Sequence, residues 1–457
     1  MAGIGFRLQA LVKRGTYLEA TSAYFSATII FAGPWLTGVV ALFALSHTAS
    51  LYLQPADRDL LGATIVCMYI ASLLCSSGPQ LLLSRYLADR LYLKDVESLA
   101  PTCNGVVCLI LPFSLIALPF VAIAPFSVLY CLLVATLFVT LCLIWILMMF
   151  LSAARGYVSI IVIVGLSYAL GISSSVLLGH RYGVTGSLAG FALGQMLCLC
   201  LLIMFIYREF PSRSGISFAY LGYFSRYWDL FTIGVLYTTG IWADSVLFWY
   251  SSRGQVIHGY FHLFSPYDTA KFIGYLSTVL ASAVFLIHLE TSFHVYYQRY
   301  YQLIQRKGTL VELVRARQGM ASACRAGFLT LLKVQGLIAL FLFLVAPALV
   351  ATVGLAPAWV PLVRIGILSG MVQFFTLVMI VLLLYIDRRR VTLIVAAVFL
   401  LSNIALTLLS LSLGNVFFGA GYLGACTIGA LIGWFVLNNQ FKHLEYLTYM
   451  EQPVVIK

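Results

Sequence analysis

The chain has 457 residues, 62% of them hydrophobic and only 9% charged, with a mean hydropathy of +1.00. No soluble fold can bury that share of apolar side chains, so the composition excludes a soluble protein and requires a polytopic membrane protein. Its 27 Lys and Arg outnumber 15 Asp and Glu, but they lie between apolar runs, where they set topology and do not point to nucleic acid.

Apolar runs long enough to cross a bilayer lie near 22–45, 60–83, 103–122, 127–151, 157–178 and 184–206. Six more lie near 228–250, 271–290, 328–351, 363–385, 391–413 and 418–437. This predicts about twelve transmembrane helices and an all-α fold. The first run follows Arg7, Lys13 and Arg14 and is long enough to span, so it reads as a helix and not as a cleaved signal. Gly33-Pro34 and Gly78-Pro79 interrupt the first two runs at similar depth. Proline frees a carbonyl and bends a helix, so these positions are candidate hinges or cavity linings, or else static kinks.

The stretch from Arg155 to Gly194 is echoed 235 positions later: Arg155 falls on Arg390, Gly179 on Gly414, Gly186 on Gly421 and Gly194 on Gly429. Nine of forty aligned positions are identical. Glycine and leucine are abundant here, but the shared glycines keep a turn and one helix face in register. Small residues four apart let backbones approach closely in lipid. The chain is therefore expected to be two related six-helix lobes, 1–212 and 213–457, in a parallel repeat. With the N-terminus inside, 22 of the 27 basic residues fall on inner segments, which predicts cytosolic termini.

The outer segment 251–269 carries His258 and His262, whose four-residue spacing suits one helix face. No nearby Cys or Glu completes a metal site, so they read as interfacial histidines. The ten cysteines form no CxxC pair and read as small apolar side chains. Neither a metal nor another cofactor is expected.

Asp244 lies well inside the seventh run, between Trp242 and Trp249. An intramembrane acid is a functional candidate by default; it reads as a hydroxyl acceptor, a protonation site, or a structural acid with a partner. Tyr237 and Trp242, away from the run's ends, are the aromatic residues expected to line a transport path. Asp229, Lys271, Lys333 and Arg364 lie near run ends and are expected to snorkel to headgroups. The inner segment 294–325 is basic and amphipathic, with Glu312 its only acid and Gly308 a break between two short helices. Its Arg299, Arg306, Lys307, Arg315 and Arg317 are expected to dock a cytosolic protein, or to lie on anionic lipid.

Several stretches resemble the PelG family end to end. They are MAGIGFRLQALV at the start, SGPQLLLSRYLADRLY at 77–92, GIWADSVLFWY at 240–250, SPYDTAKFIGYL, IHLETSFHVYYQRYY, LLLYIDRRR and HLEYLTYMEQP. The resemblance implies the inner-membrane transport component of bacterial Pel exopolysaccharide export, in the multidrug/oligosaccharidyl-lipid/polysaccharide exporter superfamily of flippases. It also implies two six-helix lobes around a cavity. Implied partners are the glycan polymer, a cytosolic glycosyltransferase and inner-membrane Pel proteins including a cyclic-di-GMP receptor. The family contributes no catalytic motif.

Polysaccharide transport fits the sparse intramembrane charge and abundant aromatic residues. An ion-coupled exporter of small molecules or lipid-linked oligosaccharides is the alternative on the same fold, but the first six runs hold no interior acid. A membrane glycosyltransferase would need clustered acids and basic groups, and none is visible; the chain reads as a non-enzyme.

Overall fold

The computed structural model describes residues 37–38, 40–112, 125–154, 157–210 and 215–450. Those residues are almost wholly helical. Nine helices among them are long and apolar enough to cross a membrane. Two shorter apolar helices, α1 (Val40–Ala49) and α3 (Leu99–Ile110), border undescribed residues. The described residues divide into two compact units, those up to Phe264 and those from Ser265 onward.

The first unit contains α1, α2 (Pro55–Tyr92), α3, α4 (Val128–Ala154), α5 (Tyr157–Glu209) and α6 (Gly222–Trp249). α5 doubles back at Gly183, whose φ of 63° and ψ of −144° break the helix. A side chain strains at that φ, so glycine makes the joint. The two arms, 157–182 and 184–209, then meet along the small residues that the sequence singles out. A Cβ on Gly194 would lie 2.5 Å from the Gly171 Cα, and one on Gly190 2.3 Å from the Ser175 nitrogen. Ser174 Oγ donates to the Gly190 carbonyl (2.9 Å) and Ser175 Oγ to that of Ser187 (2.8 Å). The expected close approach is therefore present, and the turn falls at Gly183, the last residue between the expected spans 157–178 and 184–206.

α6 packs on α2, so the seventh expected span groups with the first unit by contact. This division follows which helices touch, and the 212/213 boundary expected from the sequence is a different one. After α6 comes a hairpin, β1 (Gln255–Ile257) and β2 (Phe261–Leu263), paired antiparallel with Val256 opposite His262. His258 (φ 48°) and Gly259 (φ 70°) make its turn, so the two histidines do not share a helix face. Stacked rings hold the hairpin down: Phe126 on Phe261 at 5.9 Å, Phe248 on Phe264 at 5.9 Å and Tyr250 on His262 at 4.6 Å.

The second unit holds α7 (Ser265–Ser277), α8 (Val279–His288), α9 (His294–Gln305), α10 (Leu310–Thr352), α11 (Val360–Tyr385), α12 (Arg389–Leu413), α13 (Ala420–Lys442) and α14 (Leu444–Met450). A π-helical turn, Leu289–Phe293, joins α8 to α9. α7 presses on α11 backbone to backbone. A Cβ on Gly274 would lie 2.1 Å from the Gly366 oxygen, and one on Gly370 2.3 Å from the Gly274 oxygen. In lipid, where apolar burial drives little, such small-residue seams supply the packing. The opposite condition holds on α10, whose Leu337, Leu340, Phe341 and Leu344 are all more than half exposed. An apolar face left open on a helix this long is a lipid-facing one.

Candidate functional site

α6 carries Tyr237, Trp242 and Asp244. At 100° per residue, Tyr237 and Asp244 fall on one stripe, two turns and about 10 Å apart, while Trp242 points well away from it. Asp244 and the adjoining Ser245 are fully buried, and Tyr237 and Trp242 half-buried. Asp244 lies five residues before the helix ends at Trp249, nearer that end than mid-helix. Each of the three has an interaction partner, as a buried acid requires. Asp229 is also buried, with Oδ1 accepting from the Leu230 N–H at 2.9 Å. The expectation that it snorkels is wrong, because its side of α6 is buried, with Tyr227 and Leu230, while Trp228 between them is exposed.

Gly33 and Pro34 lie outside the described residues. Gly78 and Pro79 sit in α2, which runs helically through Pro79. A Cβ on Gly78 would meet the Phe231 ring at 2.8 Å, and one on Gly234 the Ser77 carbonyl at 2.4 Å. Ser76 Oγ bonds the Ser72 carbonyl (2.7 Å) and receives Gln80 Nε2 (3.2 Å). This Gly-Pro pair thus seats α2 against α6.

Lys271, expected at the headgroups, is instead buried. Its Nζ stands 4.4 Å from the Tyr422 ring centroid and 5.9 Å from that of Tyr275, and the two tyrosine hydroxyls bond at 2.6 Å. Aromatic faces stabilise a desolvated ammonium by about 2 kcal/mol. The hydropathy run begins at Lys271, but the helix begins six residues earlier with Ser265-Pro266, which places the cation within the span. Arg364 likewise turns to protein, with Nε donating to the Phe343 carbonyl at 3.2 Å and its guanidinium over the Phe343 ring. Lys333 is exposed, as expected.

The basic segment breaks at Gly308, but the expected second short helix is instead the first turns of the long α10. Thr309 caps α10 itself, in a capping box with Glu312. The Thr309 N–H and hydroxyl, and then Arg299 and Arg315, hold the exposed Glu312 carboxyl below its usual range. Arg317 is engaged within the chain: Nε pairs with Glu445 at 2.9 Å and Nη1 donates to the Lys442 carbonyl at 2.6 Å. Arg299, Arg306, Lys307 and Arg315 are exposed and make no ion pair among the described residues. Val295, Gln298, Arg299, Gln302, Leu303 and Arg306 line a concavity of about 420 Å³. Tyr297, Tyr300 and Tyr301 instead face the chain, with Tyr300 fully buried.

Among the described residues, no three His, Cys, Asp or Glu are grouped so as to hold a metal. Solved structures with this fold are membrane transporters. A MOP superfamily transporter from Pyrococcus furiosus aligns with a TM-score of 0.65 at 12% identity, over 92% of this chain and 96% of that one. A MATE in the bent conformation gives 0.66 at 11% identity, over 98% and 100%. The Vibrio cholerae MATE transporter VcmN in the bent form gives 0.62 at 13%, over 94% and 99%. At such identity the likeness concerns the fold alone. No curated protein matches in sequence. The sequence profile of the exopolysaccharide exporters (EPS-E) matches residues 1–449, and this chain, a transporter and not an enzyme, belongs to that PelG family.

Proposed function

We propose that the chain moves a Pel-like amino-sugar polymer across the bacterial inner membrane while a cytosolic glycosyltransferase extends it. The observation that carries this reading is the family match over nearly the whole chain. The Tyr237–Asp244 stripe supports it: an aromatic face and a buried acceptor two turns apart suit a hydroxylated, largely neutral cargo. In this reading twelve helices form two six-helix lobes, 1–212 and 213–457, with cytosolic termini. A cyclic-di-GMP receptor belongs among the membrane partners.

The deciding experiment is reconstitution in vesicles with the synthase and sugar donor. Polymer should reach the lumen only when this chain is present; equal amounts without it would end the reading. Asp244→Asn should insert normally and lower polymer transfer at least tenfold. Normal transfer would remove Asp244 from the path, and lost expression would make it structural. An outside-active reporter should respond at Ser252 and stay silent at Lys307 and Arg389.

A further inference from the structure

Three stretches far apart in sequence, 287–301, 382–390 and 443–450, meet at one end of the second unit. The Tyr385 ring stands edge-on to Phe293 at 5.3 Å and to Tyr297 at 4.8 Å. Its hydroxyl hydrogen-bonds His294 Nδ1. Phe293 also meets Phe441 at 6.4 Å, and Gly319 of α10 leaves room for the Tyr296 ring. Arg317 ties α10 to Glu445 at the start of α14. One side of α9 is therefore fixed to α10, α11 and the end of α13 by aromatic contacts.

The other side faces outward. Val295, Gln298, Arg299, Gln302 and Arg306 recur at three- and four-residue steps, so they form one stripe. An interfacial helix buries its apolar face among lipid headgroups. α9 does the reverse: its aromatic face is buried in the protein, and its outward face carries two arginines and two glutamines. Arg299 and Arg306 are seven residues apart, which places their backbone positions about 10 Å apart along one line of the helix. Carboxylates two turns apart on a facing helix match that spacing, and the planar forks favour bidentate pairing. Val295 and Leu303 add the apolar contacts that such a pairing surrounds.

Building on the transport reading, we propose that the outward face of α9 docks an acidic amphipathic helix of a partner protein. The concavity along Val295, Arg299 and Leu303 receives its side chains. The test places a photo-crosslinking amino acid at Gln302 of the full-length chain in cells, with Gln255 in the hairpin as control, and sequences the adduct peptides. An adduct from another protein, with net negative charge, is expected at Gln302 and not at Gln255. R299E/R306E should reduce it at least tenfold and R299K/R306K about threefold, with an unchanged thermal midpoint of the purified chain. Adducts only to phospholipid, to this chain or to a segment that is not acidic would overturn the proposal. So would a yield insensitive to R299E/R306E. Polymer delivery is scored in the same cells. A neutral adduct with delivery intact counts against this surface alone, whereas an acidic adduct without delivery supports the surface and counts against transport.

Discussion

The basic stretches of the two units resolve their charge in opposite ways. In the first unit every arginine of the SRYLADRLY stretch is held. Arg85 pairs with Asp89 at 3.3 Å and lies over Tyr227; Arg90 pairs with Asp95 at 2.9 Å and lies over Tyr86. Tyr86 is itself fully buried, its hydroxyl on Thr102 and its ring edge-on to Tyr223 at 5.0 Å. In the second unit Arg317 is held in the same manner, but Arg299, Arg306, Lys307 and Arg315 are left in solvent. Positive charge count therefore separates nothing. What separates these stretches is whether an acid stands close enough to pair: Arg85, Arg90 and Arg317 each have one, whereas the exposed cations of α9 and the start of α10 make no ion pair among the described residues.

The strongest way to break this contrast is to convert a held arginine into a repulsive one. Arg317→Glu should cost about 3 kcal/mol, because it sets two half-buried carboxylates together and strips two helix-end carbonyls of their donor. The thermal midpoint in detergent should fall accordingly, and R317E/E445R should recover at least half of the loss. An unshifted midpoint would mean that Arg317 is as idle as its exposed neighbours. A smaller effect is expected at Arg90→Ala, about 1 kcal/mol, from the lost pairing and from the alkyl stem that covers Tyr86. Arg299→Glu should stay within about 0.5 kcal/mol of the parent; a larger loss would make Arg299 part of the internal network and end the comparison.

The least effect is expected from acid. Glu312 is held below its ordinary value of 4.5 in the folded chain. Its contribution is present above that value and fades as pH falls through the lowered one. The protection of amides in the first turn of α10, taken relative to their intrinsic exchange rate at each pH, should thus fall only below about pH 4.5. Glu312→Gln, which still caps but does not titrate, should flatten that dependence.

The membrane class, most span positions and the seam on Gly186, Gly190 and Gly194 were legible because each is a local property: hydropathy over one helix, or residue size on one face. The break at Gly308 was legible for the same reason. Pairing across the chain was not. Arg317 and Glu445 are 128 positions apart, and nothing near either one announces the other. Lys271 was misplaced because hydropathy marks where a run turns apolar, whereas the Ser265-Pro266 start decides where the helix begins. The hairpin left a readable trace, His258-Gly259 between β-branched and aromatic residues, which is turn chemistry rather than helix periodicity. The tyrosines of α9 suit an inner or outer face equally in sequence, and only Tyr385 arriving from α11 selects between them.

The joint at Gly183 also bears on how this chain tolerates changes in length. One residue added to an uninterrupted helix turns everything beyond it by about 100°. With a single residue between its arms, α5 has no slack to absorb that turn. An insertion between Gly183 and Gly186 would swing the Gly186–Gly190–Gly194 stripe away from Gly171 and present bulky side chains to a seam with no room for a methyl group. Substitutions on the outer faces of both arms can accumulate freely, but insertions and deletions cannot. A tag or reporter loop belongs in the 251–254 stretch before the hairpin, not between the arms of α5.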